Sequence, residues 1–386
     1  MDRFNALPDM KAETNPPPAL IADIAPEESA ESPYFCAGCG AKTGSDVLSA
    51  ALSEARDEAV RLGADEAYLP DISDLSDSAE LAADNNYPQI QSIDTLSQHI
   101  SDPFIFGRIA ALHALSDIFV SGGYPHSALA HLILPRSRDE IQKRDMTMML
   151  AGALTELSQH KTKLVGGHTT AGTDTSLGFA ITADKVLTLT ENSGNISESC
   201  LILTKRLGIG VILAGHMRGL AEAASYGEVL NLMLQSNQAA AECLYAHGAI
   251  GMTDVTGFGL TGHLSGMLSK NGFTGAELFC DLLPVSEFAV ELSRKGIQSS
   301  LFPKNKKAVP VSLQAGTSHL NNDNERIELI YDPQTSGGVL AIVPAAESAS
   351  CIQALHQAGY RDATIIGHPR QHQTGITLTT TSTGEA

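Results

Sequence analysis

The sequence predicts two mixed α/β domains, and three observations carry that prediction. Strand-like and helix-like segments alternate in both halves of the chain, the pattern of layered α/β or α+β folds. At 386 residues the chain exceeds what one hydrophobic core usually serves. The regular pattern also lapses around Leu187–Ser199 into Thr, Glu, Asn, Ser and Gly, which sets a boundary near residue 192. The expected organisation is a tail and glycine-rich loop over 1–45, one domain over 46–192 and a second over 193–386.

In chain order, residues 1–33 hold Pro8, Pro16, Pro17, Pro18, Pro26 and Pro33 among small and acidic residues, which predicts a mobile tail with no core of its own. Val47, Leu48, Ala51, Leu52, Ala55 and Val60 are spaced for an amphipathic helix over 45–61. Residues 62–88 read as loop, and 89–93 as a strand that delivers Asp94 at its end. Over 106–120 an apolar stripe of Ile109, Leu112, Leu115, Ile118 and Phe119 predicts a helix, which Gly122-Gly123 stops. His113 and Asp117 lie four apart, on one face of that helix and off the stripe. A strand over 128–134, a helix over 138–159, a short strand at 164–165 and a strand over 177–182 complete the first half.

The second half restarts with a strand over 201–204 and a turn at Gly208-Ile209-Gly210. A helix over 237–247, a turn at 253–260 leading into another helix, and a strand over 276–280 follow. A polar surface stretch covers 304–324, after which the turn 332–338 leads into a strand over 339–343, a helix over 346–358 and a strand over 363–366.

Hydrophobic content of 43% and charged content of 18% fit a globular enzyme. No run of about 18 consecutive apolar residues stands out as a membrane span, and the start of the chain lacks the basic and apolar pattern of a secretory signal. Six cysteines in so long a chain do not suggest a disulfide framework, so a reducing cytoplasm is expected. The excess of 44 acidic over 25 basic residues gives a net charge of −19, which argues against nucleic acid or an anionic membrane as partner. A nucleotide remains compatible if metal ions bridge the acids to its phosphates.

The most informative segment is Cys36-Ala37-Gly38-Cys39-Gly40-Ala41-Lys42. A nearby Lys favours the thiolate form of Cys, and two glycines give the loop freedom to close over a ligand. From these residues alone a zinc half-site or a redox pair stays open beside ligand chemistry. Three glycine-rich turns with Thr or Ser, at 166–170, 253–262 and 332–338, offer backbone N–H groups and hydroxyls to phosphate oxygens. None matches the P-loop or dinucleotide fingerprint. Asp77, Asp94, Asp117 and Asp254 could hold more than one Mg²⁺ against a polyphosphate, although Asp is also common in turns for local hydrogen bonding.

Taken together these motifs resemble the selenophosphate synthetases, within the aminoimidazole ribonucleotide synthetase-like superfamily. The resemblance runs from about Cys36 to Ile366. It rests on Gly38-Cys39-Gly40-Ala41-Lys42, Phe106-Gly107-Arg108-Ile109-Ala110-Ala111, Ala114-Leu115-Ser116-Asp117-Ile118, Gly166-Gly167-His168, Leu203-Thr204-Lys205, Thr253-Asp254-Val255-Thr256-Gly257-Phe258-Gly259 and Asp332-Pro333-Gln334-Thr335-Ser336-Gly337-Gly338. It implies a two-domain fold in which the N-terminal sheet pairs across a homodimer to form a barrel, beside an α/β C-terminal domain. It implies the reaction of ATP, selenide and water to selenophosphate, AMP and phosphate, with Mg²⁺ as cofactor. Carried over by position, Cys39 and Lys42 are the catalytic residues, and Lys42, Asp94, Asp117, Gly167, His168 and Thr169 meet ATP. Asp77, Asp117 and Asp254 hold the metal. Two segments depart from the family pattern: Ser76-Asp77-Ser78-Ala79-Glu80, where the family commonly has Asp-Asp-Ala-Ala-Val, and Ile93-Asp94-Thr95-Leu96, which lacks the family's aromatics.

Overall fold

The computed structural model describes residues 78–81, 88–190, 198–313 and 324–381, and of these only the backbone for 78–81 and 324. The expected tail, the helix over 45–61, and the residues Cys39, Lys42 and Asp77 lie outside the described residues.

The first sheet has five strands in the order β1-β2-β5-β3-β4. They are β1 (Ser78–Leu81), β2 (Gln89–Ser97), β3 (Gly123–Pro135), β4 (Lys163–Gly172) and β5 (Ser176–Lys185). Only β3 and β4 run parallel, joined by helix α2 (Asp139–Gln159). Alternation sorts the side chains. Ile90, Leu96, Ala128, Leu132, Leu134, Leu177, Phe179 and Ile181 turn inward to the helices and are buried, whereas Gln91, Ile93 and Leu129 turn outward and are exposed.

Helix α1 (Pro103–Val120) lies against the inner face. The Asp102 side chain caps it by accepting from the Ile105 N–H at 3.0 Å, and Pro103 occupies its first turn. Two glycines let α1 and α2 approach closely. A Cβ on Gly107 would sit 1.9 Å from the Met149 carbonyl oxygen, and one on Gly152 would sit 2.0 Å from that of Phe104. Arg108 then bonds Glu156 across the crossing at 2.5 Å. The motif around Phe106–Ala111 is therefore helix-packing machinery.

By length and composition α1 is apolar enough to cross a membrane, but Arg108, His113 and Asp117 interrupt its apolar run and most of it is buried inside the protein. The apolar stripe is also wider than predicted, since residues 106 and 107 and all of 109–120 are buried. The face holding His113 and Asp117 accordingly meets protein and not solvent.

The second sheet has seven strands in the order β7-β10-β6-β11-β8-β12-β9. They are β6 (Ser199–Leu203), β7 (Gly251–Asp254), β8 (Gly275–Phe279), β9 (Val311–Leu313), β10 (Val339–Pro344), β11 (Thr364–Arg370) and β12 (Gly375–Thr379). Helices α3 (Ile209–Met217), α4 (Ala223–Leu234), α5 (Gln238–Ala246), α6 (Gly259–Lys270), α7 (Glu287–Arg294), α8 (Phe302–Ala308), α9 (Asn324–Glu328) and α10 (Ala345–Gln357) accompany it. A single hydrophobic cluster runs from Ile90 and Phe179 of the first sheet to Leu203, Ile342 and Leu378 of the second. Over 304–324, read as polar surface, the structure forms part of α8 and then β9.

Candidate active site

Two parallel rungs tie β2 to α1. Ser92 and Asp94, two apart on β2, share its inward face, and His113 and Asp117, four apart on α1, share one side of the helix. His113 Nε2 donates to Asp94 Oδ2 at 2.9 Å, and Ser92 Oγ donates to Asp117 Oδ2 at 2.8 Å. Asp117 is buried, while the Asp94 side chain keeps 13% exposure. The sheet and helix thus fix two carboxylates side by side. His99, buried beside them with its ring edge on Phe106, is held neutral. Its burial lowers the imidazole to about 4, a backbone bond to Ser97 opposes this, and the proximity of His113 lowers it further.

Asp254 ends β7 and is buried. Its neighbour is Lys205, fully buried, whose Nζ donates to the carbonyls of Leu232 at 3.1 Å, Gln235 at 2.7 Å and Ser336 at 3.1 Å. Burial lowers this lysine to about 7 and Asp254 opposes the shift. Ser336 presents its carbonyl from a left-handed backbone with φ of 51°, a conformation uncommon outside glycine.

Asn237, just before α5, connects the two acidic groups. Its Nδ2 donates to Ser116 Oγ at 2.9 Å and to the Gly337 carbonyl at 2.9 Å. Ser116 adjoins Asp117. Gly337 packs on Val255, next to Asp254, so tightly that a Cβ there would lie 2.1 Å from the Val255 oxygen. The Oδ1 of Asn237 is buried and has no hydrogen-bond partner in the structure. An unpartnered buried amide oxygen is a ligand type that a hard cation takes, as is a carboxylate. Asn237 Oδ1 and the carboxylates of Asp94, Asp117 and Asp254 are oxygen donors of the chemical type that Mg²⁺ takes.

The glycine-rich segments divide in role. Within 332–338, Asp332 accepts from the Val211 N–H and Ser299, while Gln334 Oε1 accepts from the N–H groups of Gly208 and Ile209. Both residues thereby satisfy the open N-terminus of α3, a structural duty. The segment 166–170, expected to be a turn, is a correction: it continues as strand inside β4, because Gly167 fits against the Ala130 carbonyl where a Cβ would lie 2.2 Å from it. Gly167, His168 and Thr169 are exposed on this sheet-edge strand. Gly167 pairs with Ala130, Ala130 with Phe179 and Phe179 with Asp94. Three strand spacings, about 14 Å, thus separate it from Asp94. The structure brings Asp94 with Asp117, and links their helix to the Asp254 turn, but leaves 167–169 apart.

Sequence reasoning missed Asn237 and the work of Lys205. The apolar run before Leu203-Thr204-Lys205 marks a buried strand, so a lysine directly at its end was the available signal.

Residues 75–183 match the family model described as AIR synthase related protein, N-terminal domain, and residues 197–375 match its C-terminal domain. A selenide, water dikinase from Porphyromonas gingivalis is 31% identical over 336 residues, covering 86% of this chain and 92% of the relative. Selenide, water dikinase 2 from Peptoclostridium acidaminophilum is 30% identical over 309 residues, covering 78% and 85%. Among solved structures, thiamine monophosphate kinase from Aquifex aeolicus superposes with a TM-score of 0.57 at 14% identity, covering 79% of this chain and 91% of that one. Hydrogenase maturation protein HypE in complex with ATP gives 0.57 at 14% identity, covering 78% and 85%. At that identity the likeness is one of fold.

Proposed function

The chain belongs to the AIR synthase related family and within it to the selenide, water dikinases, and on that premise we propose how its residues divide the work of making selenophosphate from ATP, selenide and water, with AMP and phosphate released. The observation that carries the assignment of roles is the pair of rungs holding Asp94 and Asp117, bridged through Asn237 to the Asp254 turn.

Asp117 and Asp254, with Asp77, would hold Mg²⁺, which when bound neutralises the triphosphate. Ser78, one residue after Asp77, pairs with Ser92, which brings that segment of the chain to β2. Asp94 and Asp117 orient the nucleotide. Cys39 handles the selenium species and Lys42 meets the ATP phosphates, in keeping with the order of motifs in the sequence. Selenide is a strong nucleophile, so the protein's task is to position it, keep competing water away and offset phosphate charge. A reducing cytoplasm suits this chemistry, and Cys200, Cys243, Cys280 and Cys351 are all free thiols.

Anaerobic incubation with ATP and selenide, followed by ³¹P NMR, is expected to yield selenophosphate and AMP. Folded protein that makes neither overturns the reading, and ADP as the product identifies a different kinase of the fold. In the same assay Cys39→Ser and Lys42→Ala are expected to lose selenide-dependent AMP formation without losing the fold; full turnover in Lys42→Ala removes the lysine from the mechanism.

The working form in this reading is a homodimer closed through the first sheet. Its outer face exposes Ile93 (67%), Val165 (57%) and Leu129 (49%), around the small residues Gly178 and Ala180 of β5. His131 and His168 stack on that side with ring centroids 6.3 Å apart. Pairing of two such faces would cover this apolar surface and carry Gly167, His168 and Thr169 to the partner's nucleotide, which their distance from Asp94 in the same chain favours. Light scattering is expected to give twice the chain mass, and an Ile93→Arg, Leu129→Arg variant a folded monomer with at least tenfold less activity. A fully active monomer excludes sharing of the site between subunits.

A further inference from the structure

Away from the acidic site, α5 and α10 pack side by side over the second sheet, and one cluster there has no part in the chemistry above. Cys243 lies on α5, His247 caps the C-terminal end of that helix, and Cys351 lies on α10. Among the described residues they form one group of three potential ligands whose donor atoms all lie within 4.8 Å of one another. The i, i+4 spacing puts Cys243 and His247 on one side of α5, with Cys243 Sγ 3.7 Å from His247 Nδ1. Around a tetrahedral zinc ion, sulfur and nitrogen ligands stand about 3.5 Å apart and two sulfurs about 3.8 Å. The group is therefore close to coordinating geometry before any ion arrives.

From Cys243, Cys351 and His247, we propose a soft-metal site for Zn²⁺ that clips α5 to α10 and leaves one coordination position open.

The surroundings select the metal. Cys351 is fully buried and packs in a cluster with Ala240, Leu244, Leu355 and Tyr360, while Cys243 is half-buried and leaves a path of entry. Two thiolates and a neutral imidazole around a divalent ion carry no net charge, which suits such an apolar setting. Thiolate sulfur prefers zinc over magnesium or calcium, so this site and the carboxylate site sort different ions. The proton count is favourable too. Cys243 is pulled down to about 7, chiefly by a hydrogen bond from the Cys351 thiol and also by His247, while Cys351 is raised by the same bond and by burial. Near neutral pH one thiolate is already partly formed, and the ion expels the remaining thiol proton. His247 Nδ1, which donates to the Cys243 carbonyl at 2.8 Å in the structure, gives up that bond if it ligates.

The test is a titration of the full chain, reduced and metal-free, with Co²⁺ and then Zn²⁺. One equivalent of Co²⁺ is expected to give sulfur-to-cobalt charge transfer and the visible bands of a tetrahedral site, which Zn²⁺ abolishes. Cys243→Ser and Cys351→Ser should each lose the two-thiolate signal, and His247→Ala should weaken it, with circular dichroism confirming that each variant is folded. A Cys36→Ser, Cys39→Ser double variant should keep the signal. Folded wild-type protein without thiolate bands overturns the proposal. So do bands that survive both single cysteine variants, or bands lost only in the double variant.

Discussion

Asp117→Asn is expected to lower selenide-dependent AMP formation about a thousandfold, the scale of removing one preorganised charge contact from a reacting phosphate site. The substitution preserves volume, and its amide oxygen still accepts the Ser92 hydroxyl that now sits 2.8 Å from Oδ2. The rung between β2 and α1 therefore survives while the carboxylate charge disappears. Melting temperature and circular dichroism should stay close to wild type. The loss should fall on turnover at saturating selenide, because Asp117 is assigned to metal and nucleotide. Activity within a few-fold of wild type in a folded variant removes Asp117 from the site.

The second large effect is on stability. Lys205→Met replaces a fully buried lysine whose Nζ donates to three carbonyls, those of Leu232, Gln235 and Ser336. Methionine fills the space but strands these acceptors and takes from Asp254 its buried lysine neighbour. The net loss is expected to be about 3 kcal/mol at neutral pH, seen as a clear fall in the denaturation midpoint. The pH dependence carries a definite sign. Lys205 titrates at about 7 in the folded protein against 10.5 for an ordinary lysine. Between those values the unfolded chain binds more protons, so this residue makes stability rise as pH increases from 7 to 10.5. The advantage of wild type over Lys205→Met should widen across that window. Chemical denaturation at pH 7 and pH 9.5 measures it, and an unchanged difference shows that Lys205 is not held at a lowered value.

Much of this was legible in the chain, for identifiable reasons. The α1 segment announced itself by period, and the i, i+4 relation of His113 and Asp117 foretold that they would share a side. The strand expected over 89–93 runs on to Ser97, so Asp94 lies inside it and shares a face with Ser92 instead of standing at its end. What the sequence could not supply was the partner across space. Nothing local to Asn237 points to Ser116, 121 positions earlier, or to Gly337, 100 positions later. Gly166-Gly167 read as a turn because glycine is the usual punctuation of loops. Only the neighbouring strand's carbonyl, 2.2 Å from where a Cβ would stand, reveals that glycine there permits strand pairing. Asp332 and Gln334, in a motif suited to phosphate, instead close the end of a helix more than 120 residues away in sequence.

The outer strand β4 has a further consequence, for the chain while it is being made. From residue 164 to 172 it reads Leu-Val-Gly-Gly-His-Thr-Thr-Ala-Gly, with no Lys, Arg, Asp, Glu or Pro to discourage strand addition. It also pairs in parallel with β3 only after the whole of α2 has been synthesised and folded between them. Among the described residues no strand lies on the outer side of β4, so a newly made chain offers that hydrogen-bonding edge to other chains nearby. Soluble yield should fall as expression is driven harder, and recover when synthesis is slowed by cooling.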